Sequence, residues 1–76
     1  MNKFWDMAQA ELERAWKMHG NIKSCHEALG LIEEEFDEFR REVFRKQHNR
    51  KEMLNELIQI AAMCAKAAQD LSCMDE

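Results

Sequence analysis

Ser24-Cys25-His26-Glu27-Ala28-Leu29-Gly30-Leu31-Ile32-Glu33-Glu34-Glu35-Phe36-Asp37-Glu38-Phe39-Arg40-Arg41-Glu42-Val43-Phe44-Arg45-Lys46 is the stretch whose reading decides the fold. Ser24 with Glu27 three positions on has the form of a capping box, so a helix is predicted to start just after Ser24. Apolar residues then recur at Ala28, Leu29, Leu31, Ile32, Phe36, Phe39, Val43 and Phe44, at helical spacing. Arg40, Arg41, Arg45 and Lys46 lie in the last turns, where positive charge complements the helix dipole. The predicted helix runs over about 25–47 and ends near Gln47-His48.

Working outward, two more helices are predicted. Upstream, Phe4, Met7 or Ala8, Leu12, Ala15 or Trp16 and His19 share one face of a helix over about 2–19. Gly20 stands where a left-handed residue closes such a helix. Downstream, Asn49 with Glu52 caps a helix over about 50–71. Leu54, Leu57, Ala61, Cys64, Ala68 and Leu71 form its expected inward stripe, and its many alanines allow close approach by a neighbour. Ser72 to Glu76 is expected to fray. The chain has no proline, two glycines, one valine and no threonine, which agrees with helix throughout.

With 76 residues the chain is one domain, 1–76. A chain this short buries only ~60% of its unfolded surface. The second and third helices form an antiparallel pair, which is half of a four-helix bundle. The expected fold is therefore all-α, with the bundle completed by a second copy as a homodimer or a dimer of dimers.

A net charge of −4 argues against general binding of nucleic acid. No apolar run approaches the ~20 residues of a membrane span. The three cysteines, Cys25, Cys64 and Cys73, have no CxxC spacing and read as free thiols, so the expected location is the cytoplasm.

The run Glu33-Glu34-Glu35-Phe36-Asp37-Glu38 is the feature with chemical content. Glu34 and Glu38, and Glu35 and Glu38, are helical neighbours, so their charges repel. A hard divalent cation removes that repulsion. Glu35 and Glu38 lie beside the apolar seam of Ile32, Phe36, Phe39 and Val43, and an acid turned inward needs a compensating charge. Across an antiparallel pair, Glu56 and Gln59 can complete the set. The alternative is a solvated acidic face, and Glu33 and Asp37 read as solvated in either case. A di-iron carboxylate site is disfavoured, because none of His19, His26 or His48 follows a Glu by three positions.

Glu34-Glu35-x-x-Glu38 followed by Glu56-x-x-Gln59 resembles the EExxE…ExxD signature of the all-α MazG-like nucleoside triphosphate pyrophosphohydrolases. The flanks Glu13-Arg14-Ala15-Trp16-Lys17-Met18-His19-Gly20, His26-Glu27, Leu31-Ile32-Glu33 and Leu57-Ile58-Gln59-Ile60-Ala61-Ala62-Met63 are similar to the short, phage-type members. The resemblance spans about residues 10–71. It implies Mg²⁺-dependent cleavage, with Mn²⁺ as a substitute, between the α and β phosphates of a nucleoside triphosphate. It also implies a dimer or a pair of dimers as the active unit. Carried over, Glu34, Glu35, Glu38 and Glu56 are catalytic residues and metal ligands, with Gln59 as a further ligand.

Gln59 departs from the signature, where an Asp stands, and offers a carbonyl oxygen without a charge. This departure favours the competing reading, a catalytically weak or inactive helical dimerisation module. Arg50 and Lys51, at the start of the third helix, are candidate phosphate contacts, or else solvated surface. Trp16, Lys17 and His19 are candidates for a base pocket, against core packing for Trp16.

Overall fold

A computed structural model describes residues 3–74. Three helices, α1 (Lys3–His19), α2 (Cys25–Val43) and α3 (Arg50–Asp70), account for most of them, and there is no strand among the described residues. No helix is long and apolar enough to cross a membrane. Asn2, Asp75 and Glu76, which figure in the expected first helix and tail, lie outside the described residues.

Local chemistry sets the helix ends. Gly20 adopts φ +70°, a left-handed conformation that a Cβ disfavours, and its N–H donates to the Trp16 carbonyl at 2.9 Å. At the start of α2 the Glu27 N–H donates to Ser24 Oγ at 3.1 Å. The Glu27 carboxylate reaches one residue further back than a capping box has it, accepting from the Lys23 N–H at 2.8 Å. The Asn49 side chain caps α3 by accepting from the N–H groups of Lys51 and Glu52. Ser72, at φ +60°, closes the far end, with the Cys73 N–H donating to the Ala68 carbonyl.

The second helix is shorter than expected, ending at Val43 rather than near residue 47. Glu42 explains the difference. Its buried carboxylate accepts from the Asn49 N–H at 3.2 Å and faces the Arg45 guanidinium at 3.6 Å. The contact with Asn49, seven positions on, needs the chain to turn back after Val43, whereas the pair with Arg45 is one that a continuing helix also allows.

α3 is the spine. It packs against both α1 and α2, while α1 and α2 do not pack against each other. The core is rich in alanine around three larger aliphatics: Ala8, Leu12 and Ala15 of α1, Ile22 of the first turn, Ala28 of α2, and Ile58, Ala62 and Ala67 of α3. Leu31, Ile32, Met63 and Leu71 pack around the Ile22, Ala28 and Ala67 cluster.

The expected inward stripe of α3 is displaced. Leu54, Leu57 and Cys64 are exposed, and the buried positions are Ile58, Ala62, Lys66 and Ala67. A helix with two neighbours turns inward the face that serves both, which here leaves Leu54 and Leu57 outside. Leu29 and Phe36 of α2 are exposed as well, at 56% and 54%.

One polar network fastens the first turn to α3. Asp70 accepts from Trp16 Nε1 at 2.8 Å, from the Ile22 N–H at 2.7 Å and from Lys66 Nζ at 3.0 Å. Lys66 Nζ also donates to the Gly20 carbonyl. The Lys66 and Asp70 side chains are each only 4% exposed. Burial pushes the Asp70 carboxyl up, but its donors from Ile22, Lys66 and Trp16 together hold it below the usual carboxylate range.

Candidate metal centre

Helical geometry brings Glu34, Glu35 and Glu38 together on α2. One carboxylate oxygen of each lies within 4.8 Å of the others. Glu34 is exposed, whereas Glu35 and Glu38 are half-buried. Glu56, on α3, is half-buried too and lies close enough to Glu38 for the two to perturb each other.

The electrostatics are one-sided. Glu35 is pushed up to about 7, first by burial and then by the charges of Glu38, Glu56, Glu34 and Glu11. Glu56 is raised as well, by burial and by its contact with Glu38. Glu35 Oε2 and Glu56 Oε2 are both buried and have no hydrogen-bond partner. Buried oxygens of this kind are rare because an unmade bond costs ~1–3 kcal/mol. Carboxylate oxygens are the donors that Mg²⁺ or Mn²⁺ prefers, and two of those here, Glu35 Oε2 and Glu56 Oε2, are bare.

The cluster borders a groove of about 500 Å³ between α1 and α2, floored by α3. Glu34 and Glu35 form part of the α2 wall, and Gln59, Met63 and Lys66 form the floor. The α1 wall presents Glu11, Arg14, Ala15 and His19. Burial and Arg14 act in opposite directions on Glu11; the Arg14 hydrogen bond dominates and, with Gln59, holds its carboxyl below the usual range.

The structure therefore brings Glu34, Glu35 and Glu38 together, sets Glu56 within electrostatic reach of Glu35 and Glu38, and places Gln59 and His19 with Glu34 and Glu35 around the groove. Trp16, Lys17, Arg50 and Lys51 are not among the residues lining the groove. The Trp16 indole is committed to Asp70. Lys17 is exposed on α1, and Arg50 and Lys51 are exposed in the first turn of α3. Glu33 and Asp37 face water, Asp37 beside Arg40 at 3.7 Å. The three cysteines are free and exposed.

Glu11 and Lys66 escape the sequence reading. Lys66 left a usable signal: with Asp70 it forms the only charged pair in the otherwise uncharged stretch 57–70, at a spacing of four. A charged pair isolated in an apolar helix is a candidate for burial as a bonded unit. Glu11 left none, because one acid beside a buried leucine on an amphipathic helix is ordinary.

No family model, curated protein or solved structure matches this chain.

Proposed function

We propose that this chain is a divalent-metal-dependent nucleotide pyrophosphohydrolase of the MazG-like kind, converting a nucleoside or deoxynucleoside triphosphate to a monophosphate and pyrophosphate. The observation that carries the reading is the pair of buried, unbonded oxygens, Glu35 Oε2 and Glu56 Oε2, from two different helices beside Glu34 and Glu38. Glu34, Glu35, Glu38 and Glu56 would hold Mg²⁺ or Mn²⁺, with the Gln59 carbonyl as a neutral donor. A metal bound there neutralises phosphate charge and lowers the pKa of a bound water. The adjoining groove accepts the rest of the nucleotide. Its apolar floor at Met63 suits a base, and Arg14 and His19 on the α1 wall offer donors to polar groups.

A direct test measures pyrophosphate released from a nucleotide panel with and without Mg²⁺. Metal-dependent release from at least one nucleotide is expected, falling at least a hundredfold in Glu38→Gln. Unchanged release in that variant defeats the assignment.

Self-association belongs to the same proposal. It is supported by the exposed Leu29, Phe36, Leu54 and Leu57, which are large apolar side chains without cover in a single chain. The competing reading, a dimerisation module without catalysis, shares this support. The two part on metal binding, which only the first requires.

A further inference from the structure

α2 carries an apolar face that the fold of one chain leaves open. Leu29, Ile32, Phe36, Phe39 and Val43 recur at spacings of three and four, the pattern of a coiled-coil seam. α3 packs on the side of the helix that holds Ala28 and Leu31, and α1 does not pack on α2. Leu29 and Phe36 are therefore exposed, and Ile32, Phe39 and Val43 are half-buried. A hollow of about 200 Å³ opens at the C-terminal end of the seam, between Phe36, Phe39, Val43 and Phe44. The charges that edge the seam change sign along it: Glu33 borders its first half and Arg40 its second, both exposed. They are seven positions apart, so they lie on the same flank.

This pattern is complementary to itself when reversed. Leu29 and Val43 stand seven positions before and after Phe36, and Glu33 and Arg40 three before and four after it. Two copies laid antiparallel about a two-fold axis at Phe36 set Phe36 on Phe36, Leu29 on Val43 and Glu33 beside Arg40. The same operation seats Leu29 and Ile32 of one copy over the hollow of the other. A parallel pair brings opposite flanks together and separates the two charges. We infer that the seam of α2 is the surface through which a second copy binds, in an isologous antiparallel contact with its two-fold axis at Phe36. The inference rests on the self-association proposed above, to which it adds the face, the direction and the axis, and it does not depend on metal binding. Glu34 and Glu38, two positions either side of Phe36, point about 160° away from it, so both grooves stay open in the dimer.

The test is sedimentation equilibrium of the full chain. The unsubstituted protein is expected to be a dimer. Phe36→Asp sets two carboxylates against each other at the axis and is expected to weaken dimerisation about a hundredfold or more, without harm to the fold, because the side chain is exposed in one chain. Loss of one edge charge matters little, since an exposed pair contributes little. Reversal matters more: Arg40→Glu faces Glu33 of the second copy with a like charge, and about a tenfold weakening is expected. Adding Glu33→Arg is expected to restore the dimer. Within one chain Arg40 meets Asp37, and Glu33 lies ~10 Å away along the helix, so this rescue acts only between copies. A dimer unmoved by Phe36→Asp or by Arg40→Glu, or one that the double reversal does not restore, overturns this inference alone. A monomer at every concentration overturns the proposed self-association and this inference with it, and leaves the metal-site reading standing.

Discussion

Two clusters of buried charge lie along the same helix, and they are built in opposite ways. At the C-terminal end of α3, Asp70 meets a lysine, an indole N–H and a backbone N–H, and every partner is accounted for. About four turns back, Glu56 meets acids, and both it and Glu35 keep an oxygen bare. The first arrangement is balanced and holds the chain together by itself. The second is self-repelling, and in a chain with so thin a core it is costly unless a cation joins it. Satisfied charge reads as architecture, and unsatisfied charge of one sign reads as a place for a ligand.

The largest expected effect tests the architectural half. Asp70→Ala strands the Lys66 ammonium and removes an acceptor from Trp16 and Ile22, at a cost of ~3–5 kcal/mol. That is much of the ~4–11 kcal/mol typical for a domain this size. Urea unfolding is expected to show a chain at or beyond the edge of folding. Retained stability would mean that the network is dispensable and would dissolve the contrast.

Next comes the ligand half. Saturating Mn²⁺ is expected to stabilise the protein by ~2–3 kcal/mol at a hundredfold excess over Kd, or ~10–20 °C in Tm for a small domain. Glu56→Gln is expected to abolish that shift, yet to melt higher than the parent in chelator, because it removes one of the repelling charges. The opposite signs of these two effects distinguish a ligand site from a structural ion pair, whose disruption only destabilises.

A smaller effect appears with pH. The Glu35 carboxyl ordinarily titrates at 4.5 and is raised to about 7 in the fold, by burial and by neighbouring acids on all three helices. Between these values the folded state holds a proton that the unfolded chain has released. The contribution of Glu35 to stability without metal is therefore full below pH 4.5 and is lost as pH rises through 7. With Mn²⁺ the trend is expected to reverse, since the ligands must deprotonate to bind. Thermal melts across this range, with metal and with chelator, check the crossing. The smallest effect is the control: Glu33→Gln, in the same acidic run but facing water, is expected to move stability by less than ~0.5 kcal/mol and leave the metal response intact.

Much of this was legible before the structure. Helix number and starts follow from Ser24, Gly20 and Asn49, whose side chains or lack of one act on the nearest few backbone groups. The convergence of Glu34, Glu35 and Glu38 follows from helical spacing alone. What was not legible depends on neighbours. The end of α2 is set by Glu42 reaching to Asn49, and the inward face of α3 by two flanking helices rather than by its most apolar stripe. Glu11 comes to the same groove as Gln59 only through the packing of α1 on α3, and no pattern within α1 announces it. Trp16 shows the same limit: helical spacing placed it on or near the apolar face, but its partner lies 54 positions away.

That separation has a kinetic consequence. α2 and α3 are joined by a short turn and can pair early, whereas docking α1 closes a long loop whose entropy is recovered only when its last contacts form. The Trp16 indole sits at the point of closure, and the other tryptophan, Trp5, stays largely in solvent. The change in tryptophan emission during refolding is thus a clock for the arrival of the first helix. Far-UV ellipticity, which follows the α2–α3 hairpin as well, should run ahead of it.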